Sequence, residues 1–187
     1  MTIAQIVAPA VEPLTLAEVK AHLRIDHDHE DTLLADTLSA ARQYAETMSG
    51  QRFITQQWRQ YESEMPQNRC VALHLSPVQS VVAVTAFDRE GVPQVLAQED
   101  YVLEREGLTL TLSSAVSHDV TANGLEVDLQ VGIGDAAGDI PQLIKRAVLM
   151  LVAHWYEFRG AVSAQDQPVS LPPGFEAVLN RFRRFRL

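Results

Sequence analysis

The sequence predicts an α+β fold: a helical body of two N-terminal helices and one buried C-terminal helix, an antiparallel β-region between them, and an amphipathic tail helix. Three observations predict it. Apolar residues recur at helical spacing through residues 14–50 and again through 139–160. Across residues 52–134 the period drops to two. No helix-length pattern interrupts that middle stretch, which argues against a parallel sheet built from strand–helix–strand units. The expected organisation is a single domain over 1–187, with 14–50 and 139–160 as helical body, 52–134 as β-region and 172–187 as a C-terminal docking segment.

Taken in order, residues 1–13 carry Pro9 and Pro13 without a clear period and read as an extended arm. Thr15 and Glu18 then form a T-x-x-E capping box: the hydroxyl accepts from the Glu18 N–H and the carboxylate reaches back. Leu14 and Val19 stand as a hydrophobic staple around it, and Leu16, Val19 and Leu23 give a short helix one apolar face, ending near Arg24. The polar break 26–31 precedes a second helix over 29–49, with Asp28 as the expected N-cap. Its stripe is Leu34, Leu38, Ala41, Ala45 and Met48, and Gly50 stops it.

Leu125, Val127, Leu129 and Val131 alternate with Glu126, Asp128 and Gln130, the pattern of a strand with one wet face. Leu108, Leu110 and Leu112, Val71 to Leu75, and Val81 to Phe87 add further strands, six or seven in all. Asp88-Arg-Glu-Gly91 reads as a hairpin turn. Helix returns with Asp139 as N-cap and Pro141 near the first turn, runs apolar almost all round from Leu143 to Phe158, and stops at Gly160. Residues 161–171 read as a loop. Pro172-Pro-Gly174 then introduces a segment with Phe175, Val178, Leu179, Phe182 and Phe185 on one helical face.

Composition bounds the function. With 187 residues, 47% of them hydrophobic, the chain can bury a core without disulfides or a metal. The single Cys70 leaves no internal disulfide framework and no cysteine-rich zinc site. The longest apolar run, Ala147 to Ala153, is far short of the roughly 20 residues of a membrane helix, so a soluble protein made in the cytoplasm, without a membrane partner, is expected. Net charge is −9, but the last sixteen residues hold four arginines and one glutamate, a net +3, which leaves −12 on residues 1–171. A body that acidic is a poor match for wrapping nucleic acid.

Few residues invite catalysis. His22, Asp26, His27, Asp28, His29, Glu30 and Asp31 are of metal-binding type, but their spacing matches no metal motif, and acids at a helix start serve as caps. His74, His118 and His154 are isolated, and His154 reads as a hydrogen-bonded core histidine. Cys70 has nothing nearby to lower its pKa. Gly132, Gly134 and Gly138 lack the spacing and setting of a dinucleotide loop. The expectation is therefore a protein with no enzymatic activity, no cofactor and no metal.

Several segments, in order and spacing, resemble the head–tail connector, or adaptor, proteins of long-tailed bacteriophages and gene transfer agents. They are Leu14 to Asp26 with Glu30 to Leu34, Gln51-Arg-Phe-Ile-Thr-Gln-Gln-Trp58, Leu75 to Val82, Asp100-Tyr-Val102, Ile140-Pro141 with Leu151 to Glu157, and Leu171-Pro-Pro-Gly174. Ser49-Gly50-Gln51 departs from the turn expected there. The resemblance implies a structural virion component in the neck of a phage or gene transfer agent particle. It implies a homo-oligomeric ring, commonly of twelve copies, under the portal protein. It further implies a stopper or tail-terminator component below the ring, and DNA passing through the lumen without sequence specificity. The portal-docking residues expected in this chain are Phe175, Leu179, Arg181, Phe182, Arg183, Arg184, Phe185 and Arg186. Two other functions stay open on the residues alone: a nucleic-acid-binding protein using the arginine-rich tail, and a metal-dependent enzyme built on residues 22–31.

Overall fold

The structure, a computed structural model, describes residues 2–104, 108–158 and 171–183. In chain order the elements are β1 (Thr2–Val7), α1 (Leu16–Leu23), α2 (Asp31–Ser49), β2 (Gln56–Glu62), β3 (Cys70–Ala72), β4 (Val78–Phe87), β5 (Pro93–Val95), β6 (Tyr101–Leu103), β7 (Thr109–Leu112), β8 (Leu125–Val131), α3 (Gln142–Phe158) and α4 (Phe175–Leu179). They form an α+β fold of antiparallel sheets and helices, divided into two compact units: Met1–Ala10 with Thr55–Gly132, and Val11–Ile54 with Ile133–Leu187.

The first unit is all β. Its five-stranded sheet has the order β1-β2-β8-β4-β5, and a three-stranded sheet has the order β3-β7-β6. The alternation read in residues 125–131 is the physical centre of this unit. Leu125, Val127, Leu129 and Val131 are buried, while Glu126, Asp128 and Gln130 face the other way. β2 pairs along all of β8, from Gln56 with Val131 to Glu62 with Leu125. Val84 and Ala86 of β4, Tyr101 of β6, and Leu110 and Leu112 of β7 close on the same core. The turn at 88–91 forms as expected: Asp88 Oδ1 accepts from the N–H groups of Glu90 (3.0 Å) and Val92 (2.8 Å), and Gly91 takes φ 79°. The arm expected at 1–13 is in part a strand, since β1 adds to the edge of the sheet from Thr2 opposite Tyr61 to Val7 opposite Gln57. Its sequence alternates too weakly to announce this.

The second unit is helical, and its core runs from Leu14 to Leu179. The capping box of α1 is present in both directions: the Glu18 N–H donates to Thr15 Oγ1 (3.2 Å) and the Thr15 N–H to Glu18 Oε2 (2.7 Å). The Thr15 N–H first, and the Thr15 hydroxyl donating to Oε2 (2.9 Å) second, hold the Glu18 carboxyl below the usual glutamate range. Helix α2 buries Leu34, Leu38, Ala41 and Ala45 and ends on Gly50 at φ 70°, while Met48 and Leu33 are exposed. Its start differs from expectation. Glu30, not Asp28, precedes the first turn and makes no side-chain cap; the Asp28 carboxylate is held by Lys20 instead. The start of α3 differs too. Asp139 closes a short 3-10 turn by accepting from the Ala136 N–H (2.9 Å), and the Pro141 carbonyl takes the first helical bonds from Ile144 and Lys145. Gly134 is glycine for a packing reason: a Cβ there would stand 2.3 Å from Asp139 Cβ.

Helix α3 is amphipathic rather than apolar all round. Ile144, Ala147, Val148, Leu151 and Val152 are buried; Leu143 and Phe158 are exposed, and Trp155 is half-buried against Tyr44, ring centroids 5.9 Å apart. The expected stop at Gly160 and the loop 161–170 lie outside the described residues.

Among the described residues, Arg42, Glu46 and Lys145 are buried charged groups of this unit, and the first two form a pair. Arg42, 4% exposed, donates from Nε to Glu12 Oε2 (2.7 Å) and from Nη1 to Glu46 Oε2 (3.0 Å); Glu46 Oε1 accepts from the Phe53 N–H (2.8 Å). Burial pulls the pKa of neighbouring Arg52 down, and Glu46 opposes that pull. Removing one partner of a buried pair leaves an uncompensated charge, which costs far more than the pair nets. Glu46→Ala is therefore expected to lower the unfolding free energy by about 3–5 kcal/mol. Glu46→Gln, which keeps an acceptor for Phe53, should cost less; urea denaturation of both variants measures the difference.

Candidate functional site

The residues singled out in the tail divide into two groups. Gly174, at φ 85°, turns the chain into α4 after Pro172-Pro173. The apolar stripe that follows is turned inward: Phe175 is 0% and Leu179 2% exposed, with Val178 and Phe182 half-buried on the same core. Phe175 packs its ring 6.1 Å from Tyr44, and Gln51 Nε2 donates to the Phe182 carbonyl (2.5 Å). Phe175 and Leu179, expected as docking residues, have both side chains covered by their own unit. Arg181 and Arg183 point to solvent. Arg184, Phe185 and Arg186 lie outside the described residues. The sequence pattern specified the stripe but not whose core it would fill.

A second feature was not legible in the sequence. Between α1 and α3 runs an open groove of about 700 Å³. Leu14, Leu143, Leu149 and Met150 give it apolar walls, and Lys145, Arg146 and Glu18 give it charge. Glu18, hydrogen-bonded by Thr15, keeps its negative charge, and Lys145 and Arg146 leave the groove with a small basic excess. The only signal in the sequence is that Leu143 and Met150 extend the apolar surface of α3 beyond the stripe its neighbours can bury.

The polar break at 26–31 is organised by one lysine. Lys20 Nζ bonds both Asp28 and, at 2.8 Å, Asp31. Asp28 first and Asp31 second raise the lysine pKa, while Lys20 lowers that of Asp28. His27 and His29 stack on each other with centroids 5.6 Å apart. Among the described residues, no group of three or more His, Cys, Asp or Glu is placed to hold a metal ion. His74 and His118 are exposed, and His154 is half-buried with its ring 4.7 Å from Phe158. The Cys70 thiol lies 3.2 Å from the Asn68 carbonyl. Among the described residues, no helix is long and apolar enough to cross a membrane.

The wet face of the β-unit holds the remaining constellation. Arg59 on β2 lies opposite Asp128 and makes a forked contact with it, Nε to Oδ1 at 2.6 Å and Nη2 to Oδ2 at 2.8 Å, while Nη1 reaches Glu126 at 2.9 Å. The bond to Asp128 leads in raising the guanidinium pKa. A planar fork on a carboxylate is the strong form of such a pair. Two acids that the alternation places on this surface are thus both paired with one cross-strand arginine.

With this geometry in hand, comparison with known proteins is informative. A family model described as head completion protein matches residues 12–185. The chain is similar to a chain in the neck of an empty gene transfer agent particle computed with C6 symmetry: 25% identity over 100% of this chain and 97% of that one, TM-score 0.82. It is equally similar, at 25% identity, the same coverage and TM-score 0.80, to a chain of the virion of a native gene transfer agent particle. A chain of the native neck computed with C12 symmetry, 24% identical, shares the fold with TM-score 0.76. No curated protein matches. The chain belongs to the head completion protein family.

The inward-facing tail makes a direct prediction. Phe175→Ala should destabilise the protein by about 3–5 kcal/mol, as for a fully buried aromatic ring. Arg181→Ala should leave thermal stability unchanged; differential scanning calorimetry of the two variants separates core from surface.

Proposed function

We propose that the protein is a head–tail connector: a structural component of the particle neck that forms a ring under the portal, joins the DNA-filled head to the stopper or tail-terminator, and lets DNA pass. The observation that carries this reading is the family match over residues 12–185 joined to a fold match over the whole chain with proteins of the gene transfer agent neck and virion. A ring of twelve copies is compatible with the sixfold symmetry of the empty-particle neck. The role requires binding surfaces and a lumen, and no catalytic step.

Charge supports the reading in two places. Residues 1–171 carry −12, and an acidic lumen would not retain DNA phosphates as a basic one does. The tail carries the opposite sign on Arg181, Arg183, Arg184 and Arg186. With Phe175 and Leu179 anchoring the segment to its own core, these arginines, together with Phe182 and Phe185, are the groups it offers to acidic residues of the portal. Arginine and aromatic side chains are the types that dominate binding hot spots. The rival reading, DNA binding by this tail, has the body's charge against it.

Deleting the tail would remove core residues, so charge reversal is the cleaner test. The variant Arg181→Glu, Arg183→Glu, Arg184→Glu, Arg186→Glu should keep the unfolding temperature of the parent protein yet fail to co-sediment with portal rings, and particles made with it should be tailless. Normal tailed particles from this variant would move the docking surface away from the tail. Salt-dependent DNA binding by the parent protein that the variant loses would favour the rival reading.

A further inference from the structure

The ring reading requires two different surfaces that fit each other, because a cyclic assembly of identical chains is joined head to tail. Among the described residues, two exposed surfaces have complementary chemistry. One is the β4–β5 hairpin. Its tip, residues 89–95, is exposed throughout, with Val92 57% and Val95 69% accessible. Strand β5 is three residues long and begins with Pro93, which lacks a backbone donor, so this edge is a poor template for adding another strand. Its valines therefore call for cover by side chains. The tip is also charged. Asp88 accepts from the N–H groups of the turn, Arg89 faces Asp119 at 3.4 Å with both side chains exposed, and Glu90 is exposed beside the valines.

The other surface is the α1/α3 groove. Its apolar wall includes Leu143, 42% exposed, with Leu149 and Met150 beside it, and its rim carries the exposed Arg146. We propose that the β4–β5 hairpin tip of one copy seats in the α1/α3 groove of the next copy, Val92 and Val95 against Leu143 and Met150, and Glu90 against Arg146. This inference rests on the ring reading and names the contact that would close it. Each chain uses its β-unit toward one neighbour and its helical unit toward the other, as a heterologous interface demands.

Charge reversal in assembled necks tests it. Glu90→Arg alone and Arg146→Glu alone should each lower the recovery of complete rings on portal roughly tenfold or more, as expected for a close interfacial charge pair, and the combined swap should restore it. Both positions are exposed, so the unfolding temperature should not move. In parallel, Val92→Cys with Leu143→Cys, in a Cys70→Ser background, should on oxidation of purified particles give a ladder of multimers reaching the full ring. Complete rings from both single reversals and no ladder would overturn the contact while leaving the ring intact. Single reversals that fail without rescue by the swap would also overturn it, and would assign the groove to the portal or another neck component. A ladder ending at dimers would mean a two-fold contact and would likewise overturn it. If the parent protein forms no ring on portal at all, the ring reading fails and the contact with it.

Discussion

The buried Arg42–Glu46 pair is the constraint on which the helical unit depends. It draws in three stretches of chain at once: Glu12 ahead of α1, α2 itself, and the Phe53 N–H after α2. A guanidinium taken out of water needs acceptors in fixed places, so Arg42 ties the stretch ahead of α1 to α2, and Glu46 ties α2 to the chain that leaves it. That placement sets Gln51 where it can hold the Phe182 carbonyl, and α4 then lies on Tyr44 and the core below. The surfaces read here as functional, the tail arginines and the α1/α3 groove, are carried on this charged scaffold.

The β-unit solves a parallel problem with the same residue types. Its core needs only the period-two alternation of β8, but the same alternation sets Glu126 and Asp128 two residues apart on the wet face of that strand. Arg59 resolves this by bridging Glu126 and Asp128. Much of the acidity counted in the sequence is thus organised rather than diffuse: Glu12 and Glu46 on Arg42, Asp28 and Asp31 on Lys20, Glu126 and Asp128 on Arg59. Exposed acids such as Glu90 stand out against that background as charge still available to a partner.

Local signals were the legible ones. The T-x-x-E box, the Gly50 stop, the Asp88–Gly91 turn and the alternation of 125–131 are each decided within a few residues, and each forms as the sequence implies. The misreadings share one cause, which is a partner distant in sequence. Asp28 looked like a cap until Lys20 claimed it, the N-terminal arm became a strand because β2 offered an edge, and α3 proved one-sided. The site was legible in composition but not in placement. Spacing revealed the Phe175–Leu179 stripe, yet only tertiary packing decides that it faces the chain's own core, and the α1/α3 groove exists only once two helices whose first residues are 126 positions apart meet.

The central claim is that this chain builds the ring between head and tail. Native mass spectrometry of portal rings incubated with the purified protein tests it most directly. The account predicts a complex heavier than the portal by a full, symmetric complement of chains, twelve at saturation, with free protein otherwise unassembled. A portal that gains no mass at any protein concentration, or that gains one or two copies without closing a ring, would contradict it.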